Sequence, residues 1–136
     1  MIGLQRSLRL VRRVLLLFVV GLASYGVLRF DVVRLPEGAL SPLYGIQAGD
    51  RLLVDVFRRR PELDEVVLYR GSAGELLLGR AAPAPQGIST RDREALRSGA
   101  LWILADRAGG PAPDSDELGP IPERDLVGRV VLVLPW

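Results

Sequence analysis

The spacing of hydrophobic positions changes once along the chain, near residue 30. Before that point, Val14 to Leu28 forms an apolar run without a charged residue, VLLLFVVGLASYGVL, and Arg29 follows it directly. A bilayer crossing usually takes ~20 residues, and arginines at the ends of a shorter segment can extend to the membrane interface. The pattern predicts a transmembrane anchor within residues 1–30.

The charges around this run predict its orientation. Four arginines and no acid precede it, namely Arg6, Arg9, Arg12 and Arg13. Under the positive-inside rule the N-terminus is cytoplasmic, and the chain after about residue 30 lies outside the cytoplasmic membrane. Two other interpretations stay open. Gly21-Leu22-Ala23 has the small residues of a signal-peptide cleavage site, and the run could also be a buried core helix.

After residue 30 the pattern becomes that of β-strands. Short aliphatic or β-branched runs are bounded by turn residues such as Gly49-Asp50. The predicted strands are Arg51 to Phe57, Asp64 to Arg70, Glu75 to Arg80, Ala100 to Ala105 and Gly128 to Pro135. Ser89 to Gly99 has the capping residues of one short helix, and Ala108 to Pro122 is predicted to be a long loop. The predicted fold class is therefore mainly β, with a transmembrane helix followed by an antiparallel β domain over residues 31–136.

Composition limits the chemistry of this domain. The chain has no cysteine and no histidine, and all 18 of its basic residues are arginine. Disulfides, thiolate catalysis and cysteine-ligated zinc are excluded, and no metal or cofactor is predicted. Arginine stays protonated in proteins, so the chain has neither a lysine nor a histidine to act as a neutral base. From Arg29 onward, fourteen arginines face all sixteen acids, which does not predict a nucleic-acid-binding surface.

The order of segments resembles the bacterial type I signal peptidases, membrane-anchored serine endopeptidases that remove signal peptides. Their first motif, S-M-x-P-T-L-x-x-G-D, is similar to SPLYGIQAGD, which keeps Ser41 and Gly49-Asp50. PELDEVVLY, Pro61 to Tyr69, resembles the family's P-x-x-G-D-I-V-V-F strand. GALWILADR, Gly99 to Arg107, resembles G-x-Y-F-V-L-G-D-N.

The resemblance continues to the end of the chain. Asp114-Ser115 corresponds to the family's D-S-R, LGPIP to its W-G-x-V-P, and LVGR, Leu126 to Arg129, to its I-V-G-K. By this resemblance the domain has the signal-peptidase type of β fold, and Ser41 is the nucleophile position. Ser115, with Asp106 and Asp114, belongs to the supporting residues.

The chain departs from the family at the general base. The family carries a K-R pair on a strand before P-G-D, and the lysine of that pair deprotonates the serine. The corresponding stretch is GRAAPAPQG, where Gly79 stands at the lysine position, and a one-residue shift would put Arg80 there instead. Neither residue can accept a proton. A carboxylate such as Asp106 or Asp114 is a weak base at its ordinary pKa of ~4.

Each candidate residue also has a purely structural interpretation. Ser41 precedes a proline and suits a turn before a strand. Ser115 can cap a polar loop, and Asp106 can organise the end of a strand. The apolar residues around Ser41 can form the lip of a peptide site, contact the membrane or pack in the core; they are Leu40, Leu43, Tyr44 and Ile46.

Three functions follow as hypotheses. The first is a catalytically impaired signal-peptidase-like protein that binds extended peptides by strand addition or serves a larger membrane complex. The second is an active signal peptidase that uses Ser41 and an unidentified base. The third is a structural membrane subunit held mainly by its anchor helix. The predicted partners are accordingly the membrane, signal peptides or other extended peptides, and a membrane protein complex.

Overall fold

A computed structural model describes residues 2–37, 43–57, 60–106 and 112–134. The chain divides into two compact units, Met1–Phe30 and Asp31–Trp136. The first unit contains helix α1, Ile2–Arg29. Its segment Ser7–Arg29 is 23 residues long and apolar enough to cross a membrane, and none of its most apolar window is buried. The expectation of an N-terminal helix with the length and composition of a membrane span is confirmed at this level.

The second unit is built on one six-stranded sheet. The strands are β1 (Phe30–Arg34), β2 (Arg51–Asp55), β3 (Val66–Arg70), β4 (Leu76–Ala82), β5 (Trp102–Leu104) and β6 (Leu126–Leu134). Their order across the sheet is β1-β2-β6-β3-β4-β5. The pairs β2–β6, β6–β3, β3–β4 and β4–β5 are antiparallel. The antiparallel β domain is confirmed, and its five predicted strands correspond to β2 through β6. Strand β1 was not predicted.

Two short helices accompany the sheet. Helix α2, Thr90–Arg97, begins where predicted. The Ser89 hydroxyl caps it by accepting a hydrogen bond of 3.0 Å from the Asp92 amide. Helix α3, Ser115–Leu118, lies within the segment predicted as a loop. The Asp114 carboxylate caps it by accepting the Asp116 amide at 3.0 Å. A single turn of this kind depends on its cap rather than on an apolar period, so the hydrophobic pattern did not predict it.

Apolar side chains pack on both faces of the sheet. One cluster contains Leu35, Leu43, Ile46, Leu52, Val54, Leu68 and Leu78. The other contains Val67, Tyr69, Ala81, Ile103, Ile121 and Leu126. Side chains alternate between faces along a strand, so Leu68 and Leu78 lie on one face while Val67 and Ala81 lie on the other. We call these the first face and the second face. This alternation decides which sequence candidates share a face.

Candidate functional site

The segment around Ser41 is described from Leu43 onward, and Ser41 itself, with Leu40, lies outside the described residues. Leu43 and Ile46 are buried in the cluster on the first face, so core packing accounts for both. Tyr44 is 62% exposed. The chain leaving the Ser41 segment is therefore placed on the first face of the sheet, close to the surface.

The backbone of this segment is bonded to the candidate Asp106, which in turn binds Arg80. Arg80 on β4 binds the Asp106 carboxylate, with its Nε at 2.7 Å from Oδ1 and Nη2 at 3.4 Å from Oδ2. The Tyr44 amide donates to the same Oδ2 at 3.0 Å. The Arg80 Nη1 also donates to the Asp64 carbonyl at 3.2 Å. Asp106 thus connects β4 to a residue three positions beyond Ser41.

The electrostatics of this pair work against proton transfer. The hydrogen bond to Asp106 raises the pKa of Arg80, and the ion pair adds to that effect. The hydrogen bond from Arg80 lowers the pKa of Asp106, and the Tyr44 amide lowers it further, outweighing burial. A carboxyl with a lowered pKa is a weaker base, and a guanidinium with a raised pKa holds its proton more firmly. At neutral pH the pair is a bound cation and anion with no neutral base between them.

Gly79 lies on the opposite face from this pair. It pairs with Val67 across the β3–β4 ladder, and a Cβ on Gly79 would run into the Cγ2 methyl of Ile103. Val67 and Ile103 both belong to the cluster on the second face. Of the two alternatives for the base position, Arg80 is therefore the one on the face of the Tyr44 segment. The space at Gly79 is filled by core packing.

The two remaining candidates bind the backbone of β5. The Ile103 amide donates to the Ser115 hydroxyl at 2.8 Å, and the Ala105 amide donates to the Asp114 carboxylate at 3.0 Å. Ser115 is almost fully buried. Amides two residues apart point to the same edge of a strand, so these side chains cap the outer edge of β5. Ser115 and Asp114 are positioned at β5 and close it to strand addition.

Among the described residues, strand β4 is only partly paired on its β5 side. Strand β5 pairs only with Arg80, Ala81 and Ala82. The main-chain groups of Ala81 bind Asp64 and Glu65, on the β3 side, so those of Leu76 and Leu78 point to the β5 side. Among the residues that the structure describes, no strand pairs with Leu76 and Leu78 there. An unpaired row of this kind accepts an added strand.

Three features near this site were missed by sequence reasoning: the Tyr44 amide, the Ile103 side chain and Tyr69. The Tyr69 hydroxyl donates to the Pro113 carbonyl at 3.1 Å. Burial raises the pKa of Tyr69 to about 12, and the charges of Asp114 and Glu75 add to this effect. Tyr69 therefore holds its proton at neutral pH. Only the tertiary structure shows where these groups lie, and no sequence motif marks them.

An ion pair also connects the segment before β3 with strand β6. Glu65 and Arg129 form an ion pair of 2.5 Å between the start of β3 and β6. In the described ranges, no three acidic side chains lie close enough together to hold a metal ion. This ion pair and the Arg80–Asp106 pair each join an arginine to a carboxylate.

The sequence was compared with protein-family models and with curated proteins. No protein-family model matches the chain, and no curated protein matches it significantly.

Proposed function

We propose that this chain is a membrane-anchored, signal-peptidase-like protein that binds an extended peptide without cleaving it. The Arg80–Asp106 ion pair is the observation that carries the proposal. Serine proteolysis by the mechanism of this family needs an uncharged amine beside the nucleophile. The face next to the Tyr44 segment instead holds a guanidinium bound to a carboxylate, and the whole chain has no lysine or histidine.

The open edge of β4 supports peptide binding. Leu76 and Leu78 offer main-chain donors and acceptors on the side that β5 leaves uncovered. Arg80 follows them on the same strand, so a peptide paired there would end near the ion pair. Strand addition obtains affinity from main-chain hydrogen bonds and specificity from alternate side chains. Because Ser115 and Asp114 cap the edge of β5, an extended ligand at this end of the sheet would pair with β4.

The test uses the full chain in a maltoside detergent with a fluorescent signal-peptide substrate. We expect saturable binding by fluorescence anisotropy and no cleavage by mass spectrometry, both in the unaltered protein and in Ser41→Ala. A second peptide, N-methylated at the alternate amides that would face β4, has the same side chains but lacks those main-chain donors. Its affinity is expected to fall by roughly tenfold, because each lost hydrogen bond contributes about 0.5–1.5 kcal/mol.

The controls separate the three hypotheses. Cleavage that disappears in Ser41→Ala would identify an active peptidase and contradict the proposal. Equal binding of the methylated peptide would contradict strand addition. Absence of any peptide binding would favour a structural membrane subunit, for which the exposed apolar side chains of α1 provide a contact surface.

The proposal includes a location at the bacterial cytoplasmic membrane. A single-pass α1 would place the N-terminus in the cytoplasm and the β domain outside, in keeping with a role in protein export. The exposed arginines at the N-terminal end of the span support this orientation, among them Arg9, Arg12 and Arg13.

Cysteine labelling tests the orientation directly, because the chain has no cysteine of its own. Ser72→Cys places one thiol in the exposed turn between β3 and β4, and Ser7→Cys places one before the apolar run. In intact spheroplasts, a membrane-impermeant maleimide is expected to label position 72 only. Labelling of position 7 alone would show the opposite orientation, with the N-terminus outside, and would contradict this part of the proposal. A shorter product lacking the N-terminus would identify a cleaved signal peptide.

A further inference from the structure

A cleft away from the candidate site lies between residues 60–61 and the C-terminal end of α2. Its volume is about 290 Å³. Arg60 and Arg97 line it together with the apolar side chains of Pro61, Leu96 and Leu101. The cleft therefore combines two cations with an apolar wall.

The two guanidinium groups of this cleft differ from those of Arg80 and Arg129. Those two arginines are bound by carboxylates, with Asp106 and Glu65 as partners. In the part of the chain that the structure describes, the side chains of Arg60 and Arg97 make no hydrogen bond and no ion pair. A guanidinium group has five hydrogen-bond donors in one plane. Two such groups at one cleft, without partners among the described residues, can therefore bind an anion.

Glu123 and the C-terminal end of α2 place negative charge near the cleft. The point that a Cβ on Gly99 would occupy lies 3.2 Å from Glu123 Oε2 and 3.9 Å from Arg60 Nη2, but the two side chains form no ion pair. The carbonyls at the end of α2 are also occupied. Amides of the following residues bind those of Glu94, Ala95 and Leu96. Glu123 therefore leaves both guanidinium groups without an ion pair, and the negative end of the helix is largely covered by its own hydrogen bonds.

We propose that this cleft binds a phosphate group. A tetrahedral phosphate offers several oxygens in different directions, so it can accept from two guanidinium forks at once, whereas a carboxylate offers one plane. The apolar wall of Pro61, Leu96 and Leu101 suits the carbon portion of a phosphate ester. A lipid headgroup and a soluble phosphate compound both carry this chemistry.

The test follows the arginine Nε–H resonances of the ¹⁵N-labelled full chain in a phosphate-free maltoside detergent at constant ionic strength. Titration with inorganic phosphate is one arm, and phosphatidylglycerol added to the micelles is the other. We expect saturable shifts of Arg60 and Arg97. A response to inorganic phosphate alone identifies a soluble ligand, and a response to the lipid alone identifies a headgroup.

Matched variants separate this site from general charge effects. In Arg60→Gln with Arg97→Gln, binding is expected to weaken by at least about tenfold. Arg70→Gln with Arg91→Gln removes the same charge from exposed positions outside the cleft and is expected to leave binding unchanged. The variant Arg60→Lys with Arg97→Lys keeps both positive charges but loses the planar guanidinium groups. Its phosphate affinity should lie between that of the unaltered protein and that of Arg60→Gln with Arg97→Gln. No saturable shift in either arm, or equal weakening in the two glutamine pairs, overturns the proposal.

Discussion

Replacing Gly79 by lysine is expected to destabilise the β domain by about 3 kcal/mol or more and to produce no peptidase activity. The resemblance to the signal peptidases would make this substitution the obvious repair, since it sets Gly79 against the family's lysine. The structure gives the physical reason for expecting the opposite. A side chain at position 79 enters the buried second face, where Ile103 already fills the space. A charged amine there would be both crowded and poorly solvated.

The free energy of unfolding is measured by titrating the full chain with urea in maltoside and monitoring tryptophan fluorescence. Gly79→Ala isolates the steric effect, with an expected loss of about 1–3 kcal/mol. Combined with Ile103→Ala, it should be less destabilising than the sum of the two single changes, because removing the Ile103 branches makes room for the new Cβ. Gly71→Ala serves as the control, since a Cβ there meets only the flexible end of Glu75. A fully stable, cleaving Gly79→Lys protein would refute this assignment of faces.

The position that shares a face with the Tyr44 segment is Arg80. An amine placed there would lie beside the Asp106 carboxylate, which favours the charged form of any nearby cation. The ion pair therefore opposes a neutral base even where the side chain points in the useful direction. Under the proposed function, neither Gly79 nor Arg80 offers a position where a single lysine substitution would supply a neutral base.

Gly128→Ala is the second substitution expected to have a large effect, with a loss of about 3 kcal/mol in the free energy of unfolding. Gly128 lies on β6, which is paired on both sides within the sheet. A Cβ at this position would lie 2.5 Å from the carbonyl oxygen of Asp55 and 2.8 Å from Cγ1 of Val54. The first of these atoms belongs to the backbone of β2, which cannot move away without disturbing the β2–β6 ladder.

The same unfolding measurement tests this prediction, again with Gly71→Ala as the control. The control is expected to change the free energy of unfolding by no more than about 0.5–1 kcal/mol. Amide hydrogen exchange should show the largest loss of protection in Gly128→Ala along β2 and β6, where strand separation would begin. A Gly128→Ala protein as stable as the control would show that the two strands are further apart than described.

The strands were predictable from the sequence to different degrees. The runs around Leu52 and Leu68 follow the expected apolar pattern, because burial of their side chains is the main source of strand stability. Strand β1 was missed because its five residues include two charges and continue directly from an apolar helix. Helix α3 was missed because a single capped turn has no hydrophobic period to detect.

The sequence by itself determined the span-length apolar helix, the antiparallel β domain and the absence of a neutral lysine or histidine base, because these depend on composition and local periodicity. Only the tertiary structure decided that Arg80, and not Gly79, shares a face with the Tyr44 segment. It also joined Asp106 to Tyr44 across 62 positions of sequence. A strand alternates its faces with every residue, so one position of register moves a side chain from the surface to the core. Register depends on long-range pairing, which local patterns do not contain.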